Sequence, residues 1–97
     1  MAAIDDAWVG KATNIAAGAY ADMRPGVGEE VSLAYVSHGF PGEVYRYDGT
    51  TRVFHTKGDV TSMAGDGLRL THDSWAQFKN THSAAQDIMW SGVYTKV

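Results

Sequence analysis

Two short runs rich in aromatic and β-branched residues, Glu43-Val44-Tyr45-Arg46-Tyr47 and Thr51-Arg52-Val53-Phe54-His55-Thr56, flank the pair Asp48-Gly49. An Asp-Gly pair between alternating runs is the strongest short-range hairpin signal, because a tight primed turn needs positive φ at its centre. The chain is thereby committed to an antiparallel sheet. Residues 30–37 alternate as well, with Val31, Leu33 and Tyr35 on one side, so strands at 30–37, 43–47 and 51–56 are expected to form a three-stranded meander. In it Val44 and Arg46 share one face and Tyr45 and Tyr47 the other. Residues 57–67 hold Gly58, Gly65 and Gly67 without a clear period and read as a loop. A short strand at 68–71 places Leu68 and Leu70 inward.

The flanking segments read as helices. Ile4, Trp8, Ala12, Ile15, Ala19 and Met23 recur at steps of three or four, predicting a helix over 4–23 that Arg24-Pro25-Gly26 ends. Gly10 and Gly18 each cost such a helix about 1 kcal/mol relative to Ala. After the short strand, Ser74 and Gln77 stand at capping-box spacing and Trp75, Phe78 and His82 fall on one stripe, predicting a second helix. Ser83 to Gln86 restarts or continues it through Ile88, Met89 and Trp90 until Ser91-Gly92. Residues 93–97 alternate as a last strand or an ordered tail. The expected fold class is α+β: a small antiparallel β-sheet of three to five strands, an N-terminal helix, and a Trp/Phe-bearing helix after the last meander strand. Ninety-seven residues make one domain, 1–97.

Charge and composition narrow the function. Eight basic against eleven acidic side chains leave a formal charge of −3, and no Lys/Arg run occurs, which disfavours direct nucleic-acid binding. The absence of cysteine excludes disulfides and thiolate chemistry. The opening MAAIDDAW lacks a signal-peptide pattern, and no run approaches the roughly 20 apolar residues of a membrane helix. A cytoplasmic or particle-associated protein is expected, with no membrane contact.

The polar residues offer little chemistry. His38, His55, His72 and His82 show no HxH, HxxxH or HExxH spacing, so no metal site is expected. Ser37-His38, His72-Asp73-Ser74 and His82-Ser83 place hydrolase residue types side by side, yet adjacent residues point apart and no GxSxG elbow exists. A small hydrolase is the third reading. Ala64-Gly65-Asp66-Gly67 meets neither the P-loop nor the EF-hand pattern. The expectation is no catalytic residue, no cofactor, and no enzyme.

The aromatic residues stand out. Tyr35, Tyr45, Tyr47 and Phe54 on the meander and Trp75, Phe78 and Trp90 on the helical part are the candidate partner-binding residues, because a small sheet has two faces and its helices need not cover both. A protein-interaction module is expected, self-associating as a homodimer or other homo-oligomer or binding another protein. The alternative is a structural component of a phage or other assembled particle, suggested by small size and many strands.

Residues 42–80 resemble the DUF397 family of small actinobacterial regulatory proteins. The resemblance is carried by Gly42-Glu43-Val44, Asp48-Gly49, Arg52-Val53-Phe54-His55-Thr56-Lys57, Gly67-Leu68-Arg69-Leu70-Thr71 and Trp75-Ala76-Gln77-Phe78. The family's opening Trp and Lys-Ser-Ser-Tyr-like segment is matched only by Trp8 and Lys11, and its Cys is missing. The resemblance implies a non-enzymatic accessory of transcription regulation acting with a helix-turn-helix DNA-binding partner.

Overall fold

The computed structural model describes residues 3–59 and 61–97, and among them there is no helix. Eight strands run in order: β1 (Ala7–Ile15), β2 (Tyr20–Met23), β3 (Glu30–His38), β4 (Gly42–Tyr47), β5 (Arg52–Gly58), β6 (Thr61–Thr71), β7 (Trp75–Asn80) and β8 (Gln86–Lys96). They form two antiparallel four-stranded sheets, ordered β1-β8-β3-β6 and β2-β7-β4-β5. The pairs β1–β8, β2–β7, β3–β6 and β4–β5 nest one inside the next. A long hairpin paired in this way and rolled into two facing sheets is a jelly roll.

The α+β expectation is therefore corrected to all-β, and each misread helix has a physical reason. Over 4–23, helical spacing and period-two spacing coincide at Trp8 and Ala12, four apart: with Gly10 between them they turn inward along β1 while Val9, Lys11 and Thr13 turn out. Ile4, the first residue of the helical stripe, is exposed. Gly10 is needed as glycine, since a Cβ there would collide with the Trp90 indole. The chain leaves the first sheet at Ile15 and enters the second at Tyr20, through a turn in which Gly18 adopts φ 78° and donates its N–H to the Asn80 carbonyl.

The capping residues of the second expected helix make a turn instead. Ser74 N–H donates to the Thr71 hydroxyl and Thr71 N–H donates to the Ser74 carbonyl, which reverses the chain between β6 and β7. Ser, Thr and Asp side chains satisfy turns by the same local bonds that cap helices. β7 then lies between β2 and β4, and its ladder on both sides overrides helix propensity. Residues 81–85 likewise reverse the chain, between β7 and β8, pinned by fully buried Asn80. Its amide donates to the carbonyls of Ile15 and Ala84, and its oxygen accepts from His82 N–H and the Gln86 side chain.

Other boundaries also move. The loop expected over 57–67 is the end of β5 and the first half of β6, with Val60 outside the described residues. Asp66 and Gly67, at φ 56° and 70°, form a bulge where β6 follows β3. Ser91-Gly92 lies within β8, so the tail 93–97 continues a long strand. The Asp48-Gly49 hairpin is present, but its loop runs from Asp48 to Thr51 and only Gly49 in it has positive φ; Asp48 accepts the N–H groups of Thr50 and Thr51. The meander is broken at Gly39–Pro41, because β3 belongs to the first sheet and β4 and β5 to the second.

The core lies between the sheets. Val31, Leu33, Val36, Met63, Leu70, Ile88 and Trp90 from the first sheet meet Met23, Val44, Ala76 and Phe78 from the second. No helix among the described residues is long and apolar enough to cross a membrane.

Candidate functional site

The strands of the second sheet alternate so that Ala21, Met23, Val44, Ala76 and Phe78 face the core. Their neighbours Tyr20, Asp22, Glu43, Tyr45, Tyr47, Trp75, Gln77 and Lys79 lie on the opposite, outer face, joined by Arg52, Phe54 and Lys57 of β5, with Trp75 and Gln77 buried beneath the side chains around them. This outer face is the aromatic surface of the molecule. Phe54 packs edge-on against Tyr45 at 5.7 Å, Tyr45 against Tyr20 at 6.0 Å, and Tyr47 against Trp75 at 5.3 Å between ring centroids. Such pairs contribute roughly 0.5–1.5 kcal/mol each beyond their burial.

Two guanidinium groups tie the rings together. The Arg52 guanidinium lies 4.1 Å from the Tyr20 ring centre and 4.5 Å from that of Tyr47, while Arg24 covers the Trp75 ring at 3.8 Å. Beneath them runs a polar chain. Arg52 Nε donates to Gln77 Oε1, and Gln77 Nε2 and Trp75 Nε1 both donate to Asp22 Oδ1. Tyr45 donates its hydroxyl to Glu43 at 2.7 Å, and that bond to a carboxylate, more than burial, pushes its pKa from 10.0 up to about 12. These bonds and ring contacts hold the side chains in place.

Four of the seven aromatic residues singled out from the sequence, Tyr45, Tyr47, Phe54 and Trp75, meet on this face. Tyr35 lies on the outer face of the other sheet, beside Ser91. Phe78 and Trp90 fill the core, where Phe78 is wholly buried. Tyr20, Arg24 and Arg52 belong to the face but were missed, although Tyr20-Ala21-Asp22-Met23 carries a period-two alternation that the helical reading of 4–23 concealed.

The histidines do not gather. His38 is buried beside Phe78, its Nδ1 bonded to the Phe40 carbonyl, while adjacent Ser37 points out. His55 and His72 contact the carbonyls of Gly65 and Pro25, and His82 stacks on Phe40. No group of three His, Cys, Asp or Glu among the described residues could hold a metal ion. A shallow depression of about 430 Å³ opens on the first sheet, lined by Lys11, Thr13, Ser37, His38, Asp87 and Met89.

No protein-family model matches the chain, and no curated protein matches it.

Proposed function

We propose that the chain is a non-enzymatic protein-binding module that meets its partner through the outer face of β2, β7, β4 and β5. The observation that carries this reading is the interlocked set of Tyr20, Tyr45, Tyr47, Trp75, Arg24 and Arg52. Tyr, Trp and Arg are the residue types that dominate binding energy at protein interfaces, and side chains fixed in advance lose little entropy on docking. A cytoplasmic setting and an accessory role beside a helix-turn-helix regulator are the specific form of this proposal. The regulator as partner rests on the resemblance over 42–80 alone, in which 75–80 is a helix and not the strand found here, whereas the binding surface rests on the face itself.

The test is selection of peptides from a displayed library on the wild-type protein, followed by binding to Tyr47→Glu and to Val9→Asp, the latter on the opposite sheet. Selected peptides should lose roughly tenfold or more in affinity on Tyr47→Glu, about 1.4 kcal/mol, and keep it on Val9→Asp. Equal binding to the two variants would count against the proposal.

A second reading, a subunit of an assembled particle, is favoured by the jelly-roll wrapping, an architecture used in viral capsid domains. Fold alone does not establish function. Sedimentation at micromolar concentration tests it: large closed oligomers support a particle subunit, and a monomer or small oligomer opposes it.

A further inference from the structure

The outer face of the second sheet is electrostatically unlike the rest of the chain. It carries Arg24, Arg52, Lys57 and Lys79, four of the eight basic residues, but only Asp22 and Glu43 of the eleven acidic ones. That is a formal +2, against −5 for everything else. The two acids are engaged internally, Asp22 by Trp75 and Gln77 and Glu43 by Tyr45.

The arginines are engaged differently. Arg24 donates through Nε to the His72 carbonyl and Arg52 through Nε to Gln77. Both side chains are exposed, each stacked on a ring, and their Nη atoms bond nothing among the described residues. An anchored guanidinium with both Nη groups open is shaped to receive a carboxylate in two parallel hydrogen bonds. Arg24 lies over the Trp75 ring and Arg52 over the Tyr47 ring of the Tyr47–Trp75 pair.

We infer that the partner is an acidic protein segment whose carboxylates dock on Arg24 and Arg52 across the Tyr47–Trp75 pair. The inference rests on the reading of this face as a protein-binding surface. A second copy docking by the same face would set positive against positive. Single-stranded nucleic acid needs open ring faces on which successive bases stack, whereas here Trp75 is covered by Arg24 and Arg52 lies between Tyr20 and Tyr47.

Fluorescence anisotropy with a labelled peptide of about 12 residues alternating Glu and Leu, its Gln/Leu counterpart, and a thymidine oligonucleotide of similar length tests this. The Glu peptide should bind about tenfold tighter than the Gln peptide, the gain expected of charge-assisted hydrogen bonds. Its affinity should fall with added salt. Arg24→Gln and Arg52→Gln should each remove most of the preference, and Arg52→Lys should restore only part of it, since charge remains but the fork does not. The peptide comparison on the wild-type protein needs no variant to fold. Equal affinity for the two peptides, no binding of the Glu peptide up to about 1 mM, or tighter binding of the oligonucleotide would overturn the inference. If library peptides bind through Tyr47 but are not acidic, this inference falls while the module reading stands.

Discussion

Tyr45 shows how single side chains set the character of the candidate surface. Its hydroxyl spends its proton on Glu43, which fixes the ring between Tyr20 and Phe54. The folded-state pKa, about 12, lies above the ordinary 10.0. The contribution of the bond is therefore complete below the ordinary value and is lost as pH rises through the folded one. In a tyrosinate absorbance titration, one tyrosine should ionise late, and Glu43→Gln should return it toward 10.0. An unchanged titration in Glu43→Gln would show that the carboxylate is not the cause. The alternation expected over 43–47 set Tyr45 and Tyr47 on one face and Glu43 with them, but the bond itself depends on the rotamers that Tyr20 and Phe54 impose on Tyr45, which no local pattern shows.

At the level of elements, strands announced by strict alternation or by a hairpin signal were legible. Residues 30–37 and the pair around Asp48-Gly49 are strands in the structure, close to their expected limits. What was not legible was whether Ala- and Gly-rich or Ser-capped segments had a sheet to join. Trp8 and Ala12, four apart, suit both periods, and only contact with β8, at the far end of the chain, decides between them. Gly92 read as a helix breaker, but its role is close approach: a Cβ there would collide with the Ser32 carbonyl oxygen of the adjacent strand. Backbone cannot retreat cheaply in a central strand, so Gly92→Ala should destabilise by about 1–3 kcal/mol. Gly39, whose added Cβ would meet nothing within 4 Å, is the control. Urea unfolding should show a lower midpoint for Gly92→Ala and little change for Gly39→Ala; similar midpoints would refute the packing argument.

The whole molecule divides its labour between two sheets. The first joins the two ends of the chain through β1 and β8 and shows outward a face of Val9, Tyr35, Met89 and Val93. The second gathers the interlocked aromatic and arginine residues and half of the basic charge. This division could not be read from composition, since a total of −3 hides a positive face on an acidic body. Nor could the site be assembled from neighbours in sequence, because Tyr20, Tyr45, Arg52 and Trp75 come from four strands that only the rolled topology brings together. Amide chemical-shift mapping on addition of a selected peptide would locate the proposed contact surface on the second sheet's outer face. The perturbed amides should concentrate in Tyr20–Met23, Gly42–Tyr47, Arg52–Gly58 and Trp75–Asn80. Perturbations concentrated instead in Ala7–Ile15, Glu30–His38 and Gln86–Lys96 would contradict that placement.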